Sequence, residues 1–114
     1  MASLLNYLHT HRKRLSLSQE EVGFMIGARG ASKESTVSRE ERFIREPSLR
    51  AALAYELIYG KPIRELFAGL YEQVEQDVAE RARVLCHRLS PKVKPKRQEV
   101  IASLVSKLTV SSNE

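Results

Sequence analysis

The sequence predicts an all-α protein, and three observations carry that expectation. Apolar residues recur at three- and four-residue spacings along nearly the whole chain, no segment alternates apolar and polar residues as a strand would, and Ser, Gly and Pro punctuate the pattern where helices start and stop. A chain of 114 residues can bury one modest core. One domain followed by appended helices is therefore the expected organisation.

Leu4, Leu5, Leu8, Arg12 through its aliphatic stem, and Leu15 or Leu17 follow helical spacing and predict a first helix over 2–14. Ser18 followed by Glu21 is a capping box, in which each side chain satisfies the other residue's free backbone N–H. It opens a second helix over 19–26, with Val22, Met25 and Ile26 as the buried face and Gly27 as the stop. Ser32 or Lys33 precedes the first turn of a third helix, anchored inward by Val37, with Glu34, Ser35, Ser38 and Arg39 facing outward. Pro47 blocks its continuation, and Ser48 caps a fourth helix whose expected apolar face is Leu49, Leu53, Leu57 and Ile58, ended by Gly60. Pro62 starts a fifth, with Ile63, Leu66, Phe67 and Leu70 turned inward.

Beyond the fifth helix, Leu70, Val74, Val78, Ala82, Leu85 and Leu89 form one stripe, predicting an amphipathic helix over 70–89. Its other face carries Glu72, Glu75, Asp77, Arg81 and Arg88. Such a stripe either packs on its own domain or pairs two chains. The preceding domain has its own core, so pairing is expected, through Leu70, Val74, Val78, Leu85 and Leu89. Residues 90–97 (Ser-Pro-Lys-Val-Lys-Pro-Lys-Arg) interrupt the helix with positive charge, as a DNA-grasping arm or a soluble basic linker. Val100, Ile101, Leu104, Val105 and Leu108 then give a short helix over 98–109, before a disordered tail over 110–114. Standing alone, so short a helix is marginal in water and must dock on its own chain, a second copy or another protein.

The formal net charge of +5 favours a polyanionic partner, because clustered Lys and Arg release counterions from phosphates. The excess sits at the two ends: +3 over residues 1–50, −1 over 51–90 and +3 over 91–114. No transmembrane run or export signal is legible, so a cytoplasmic protein without membrane contact is expected. The single cysteine, Cys86, has no thiol with which to form a disulfide or a zinc site. His9 and His11 point to different helix faces, and His87 stands alone. No Gly-rich phosphate loop or Ser, His and Asp constellation emerges, so no metal, cofactor or enzymatic activity is expected.

Leu17-Ser18-Gln19-Glu20-Glu21-Val22, Thr36-Val37-Ser38-Arg39-Glu40-Glu41 and Pro47-Ser48-Leu49 follow one another in a characteristic order. Over residues 4–68 they resemble the helix-turn-helix domain of lambda-repressor-like and Cro-like regulators, the XRE family. The resemblance implies a five-helix DNA-binding domain over 1–69 with a C-terminal helical extension, acting as a homodimer on double-stranded DNA. It implies that Gln19, at the start of the second helix, bonds a phosphate, and that Lys33, Glu34, Ser35 and Arg39 on the third helix reach base edges in the major groove. Arg39 is the first choice for base readout, because its guanidinium fork matches guanine O6 and N7. Arg29, Thr36, Ser38, Arg42 and Arg45 are assigned to the DNA backbone. The alternative for Arg39 and Arg42 is a solvated helix face paired with neighbours such as Glu46, and for Gln19 a plain surface role.

The family also implies an ion pair between Arg12 and Glu41 that ties the first helix to the third; breaking one partner is expected to cost about 3 kcal/mol. Two departures stand out. Gly27 and Val37 are ten residues apart, so Ala28-Arg29-Gly30-Ala31 behaves as an insertion that lengthens the turn. Glu40 occupies a place where the family often has an aromatic or aliphatic residue, and is expected to face solvent or the DNA backbone. A sequence-specific regulator, in particular a repressor, is the leading expectation. The alternative is an antitoxin-like or anti-activator-like module that sequesters a partner protein with its C-terminal helix.

Overall fold

The computed structural model of the chain describes residues 4–29, 33–88 and 94–112, with side chains described up to residue 108. Seven helices and no strand occur among the described residues: α1 (Leu8–Arg14), α2 (Gln19–Met25), α3 (Lys33–Glu41), α4 (Leu49–Tyr59), α5 (Ile63–Leu66), α6 (Ala68–Arg88) and α7 (Pro95–Ser112). The chain divides into a unit over 1–70 and a second unit over 71–114. Among the described residues each unit holds helices and no strand, and the protein is all-α.

Local chemistry explains most helix ends. The Ser18 hydroxyl accepts from the Glu21 N–H at 3.0 Å while the Glu21 carboxylate accepts from the Ser18 N–H at 2.8 Å, which completes the capping box of α2. Ser48 caps α4 by accepting from the Ala51 N–H. Gly60 closes α4 in the left-handed conformation at φ 67°, where a Cβ is costly, and Gly27 follows α2 at φ 77°. The first helix starts later than the apolar spacing suggests. Asn6 Oδ1 accepts from the Leu8 N–H, and the Tyr7 N–H donates to the Leu66 carbonyl, so residues 4–7 run across the end of α5 instead of extending α1.

The core of the first unit comprises Leu8, Val22, Val37, Ala51, Tyr55, Tyr59, Leu66 and Phe67, with Leu17, Ile26, Phe43, Ala52, Ile58, Ile63 and Leu70 packed around it. Several side chains face the other way from the expectation. Met25 is exposed beside Ile26, as are Leu4, Leu5 and Leu15. The largest correction concerns α4. Leu49, Leu53 and Leu57 are 73 %, 44 % and 83 % exposed, while Ala51, Tyr55 and Tyr59 are buried. The helix is turned so that its tyrosines enter the core, where their rings stack with centroids 5.7 Å apart. Leu70 packs against this same core, so it does not belong to a free pairing stripe.

In the second unit, Ala79 and Ala82 on α6 and Ile101 on α7 are buried. Tyr71, Val74, Val78, Val84 and Leu85 on α6 are exposed, with Val100 and Leu104 on α7; Leu89 lies outside the described residues. α7 begins at Pro95, which suits a first helical turn because it needs no N–H there, so Pro95, Lys96 and Arg97 belong to the helix and not to a linker. It runs to Ser112, so residues 110–112 are helical where a tail was expected. Residues 90–93 of the expected linker lie outside the described residues.

Candidate nucleic-acid interface

α3 is fastened at both ends to the helices around it. Near its start, a Cβ built on Gly23 of α2 would meet the Lys33 carbonyl oxygen at 2.7 Å, so only glycine permits this approach of α2 to α3. The Lys33 ammonium lies over the Phe24 ring, 4.7 Å from its centroid, and thereby leans back on α2. Lys33 is half-buried, Glu34 and Arg29 are exposed, and Gly30 to Ser32, which include part of the lengthened turn, lie outside the described residues.

Near its end, two adjacent carboxylates point in different directions. Glu41 binds α1 and α2: Arg12 Nε donates to Oε2 at 2.6 Å, Arg12 Nη2 to Oε1 at 3.2 Å, and Gln19 Nε2 to Oε1 at 3.1 Å. Arg12 also donates to the Leu17 carbonyl through Nη1 at 3.0 Å, and its side chain is 7 % exposed against 4 % for that of Glu41. His9 Nδ1 completes the group, 3.2 Å from Arg12 Nη2 and 3.4 Å from Glu41 Oε1. Burial alone would raise the Glu41 carboxyl, but the hydrogen bonds from Arg12 and Gln19 and the Arg12 charge outweigh it and hold the group below its ordinary value. The hydrogen bond to Glu41 raises Arg12 in turn.

Glu40 turns inward and is 2 % exposed, which corrects the expectation that it would face solvent or the DNA backbone. Its Oε1 accepts from the Tyr55 hydroxyl at 2.6 Å, and its backbone carbonyl accepts from Asn6 Nδ2 at 3.0 Å. Burial and the bond to Glu40 raise the Tyr55 phenol far above its ordinary value, so the tyrosine stays a donor. Thus a carboxylate can occupy an apolar place because a buried tyrosine reaches it. Arg45 Nε stands 4.0 Å from Glu40 Oε2 at the surface end of the pair.

No family model, curated protein or solved structure matches the chain.

The outer side of α3 and the segment that follows it collect positive charge. Arg39, Arg42 and Arg45 are exposed, and Ser35, Thr36 and Ser38 are half-buried. Arg42 Nε donates to the Ser38 carbonyl at 3.3 Å, which folds its chain along α3. Gln19, assigned to a phosphate by resemblance, is half-buried and gives one N–H to Glu41; a second N–H remains on its amide nitrogen. Asn6, Gly23, Glu40 and Tyr55 complete the support of α3. Of these only the capacity of glycine for close approach leaves a mark in sequence; the others act through contacts between distant segments.

Proposed function

We propose that the chain is a sequence-specific DNA-binding transcription regulator of the lambda-repressor-like type, a repressor that binds an inverted-repeat operator as a homodimer. The observation that carries this reading is a short helix braced at both ends, with Arg39 exposed on it and Arg42 and Arg45 exposed in the segment that follows it. Arginines on a braced helix suit a duplex: phosphates attract the charge, and a guanidinium carried on a fixed backbone can discriminate a guanine edge. Arg39 is assigned to base readout with Ser35 and Glu34 beside it, and Lys33 takes base or phosphate from its place over Phe24. Gln19, Arg29, Thr36, Ser38, Arg42 and Arg45 are assigned to the sugar-phosphate backbone.

Selection from random duplexes with the purified chain, at stated salt, tests the reading. The expected result is an inverted repeat with half-sites about 34 Å apart, and Arg39→Ala is expected to relax preference at one position of each half-site at a cost of about 1–3 kcal/mol. Recovery of no sequence preference overturns it. A second reading, a module that sequesters a partner protein, is favoured by the exposed Leu49, Leu53 and Leu57 of α4, together with Val100 and Leu104 of α7. It predicts that deleting residues 98–114 abolishes capture of a specific partner while the first unit stays folded.

A further inference from the structure

Phe24 is 70 % exposed and takes no part in the core of the first unit. Its place is nevertheless set by contacts on either side of it. Gly23, the residue before it, lets α2 close onto the Lys33 backbone, and Gln19, one turn earlier on the same side of α2, reaches Glu41 of α3. Phe24 borders that side of α2 and is turned away from the buried Val22. The Lys33 ammonium stands over its ring, 4.7 Å from the centroid, so one face of the ring lies against the side chain that opens α3 while the rest is open.

A phenyl ring carries neither a donor nor an acceptor, so it is blind to the hydrogen-bonding pattern by which base pairs differ. Of the four standard bases only thymine offers an apolar group in the major groove, its C5-methyl, and a phenylalanine side chain is among those that can meet it. We propose that Phe24 is a specificity-determining residue that packs its ring on the C5-methyl of a thymine, next to the place met by Lys33. The contact takes apolar surface of both partners out of water. Lys33, leaning on the same ring, keeps its charge beside that thymine for a phosphate or a base acceptor. The inference rests on the DNA reading above and adds one apolar contact, from α2, to a set of polar ones.

The test uses the full chain and the site recovered by the duplex selection. Each thymine is replaced in turn by deoxyuridine, which removes the C5-methyl and keeps every hydrogen-bonding group, and affinity is measured at one stated salt concentration. At one thymine of each half-site the native chain is expected to lose about fourfold, the worth of one buried methyl group. Phe24→Ala is expected to lose less than about 1.5-fold at that thymine, because the partner of the methyl has gone. Phe24→Gln, which keeps length without the apolar ring, should repeat that result, and thermal unfolding checks that both variants fold. A recovered site in which no replacement separates the native chain from the variants overturns the proposal and leaves the DNA reading standing. So does a variant that weakens binding by one factor whether or not the methyl is present, which is the mark of a sugar contact or of a general loss. Recovery of no site overturns the DNA reading and this inference with it.

Discussion

Glu40 shows how one side chain can decide an orientation. A carboxylate is expensive in an apolar setting unless donors reach it, and the Tyr55 hydroxyl at 2.6 Å does so from the next helix. Tyr55→Phe keeps the ring and removes the donor. It should lower stability in urea unfolding by about 1–3 kcal/mol, because the acceptor stays buried. Glu40→Gln, which retains an acceptor for Tyr55, should cost less, and equal losses from both would show that the hydroxyl is not the relevant partner. The neighbouring Tyr59 differs: its hydroxyl is buried without a hydrogen-bond partner among the described side chains, and burial raises its pKa. Its ring, stacked on Tyr55, accounts for its place in the core.

At the scale of the element, α2 and α3 are set by a glycine. In an isolated helix Gly23→Ala would help by about 1 kcal/mol through propensity. Here the added methyl meets the backbone of Lys33, which no side-chain rotation relieves, so thermal unfolding should show a net loss of stability, and under the proposed DNA-binding reading duplex affinity should fall as α3 shifts. A gain in stability would show that the two helices have room between them. Most helix boundaries were legible because they are local: Ser18 with Glu21, Ser48, Gly27, Gly60 and Pro62 act within a few residues of themselves. The Arg12–Glu41 pair could be read as well, though only through the family resemblance. The buried face of α4 could not. Leu49, Leu53 and Leu57 make as regular a stripe as Ala51, Tyr55 and Tyr59, and the choice falls to a contact between Tyr55 and Glu40, 15 residues apart. The late start of α1 escaped for the same reason, since the Asn6 side chain that accepts from the Leu8 N–H also binds α3, 34 residues on. Exposed Arg39 was legible as a surface residue, whereas the brace beneath it was only half visible.

For the whole molecule, the pinning of α3 makes stability depend on pH in a definite direction. Glu41 is held below its ordinary value of 4.5 in the folded chain, so its contribution is fully present above that value and is lost as pH falls through the lower, folded one. The thermal midpoint should therefore be flat from pH 7 to about 5 as far as Glu41 is concerned, and should drop below about 4.5. Glu21, lowered by its bonds with Ser18, adds to the same acid slope. Glu41→Gln should lower stability at neutral pH and flatten that slope; an unchanged slope would mean that the carboxylate is not what acid attacks. The bonds that hold α3 link residues 15, 29 and 34 positions apart, so the position of α3 depends on contacts that close only after distant segments meet. A nascent chain released only as far as residue 48 lacks Tyr55, so Glu40 has no donor from α4 at that stage. Synthesis must bring α4 into reach before α3 can set.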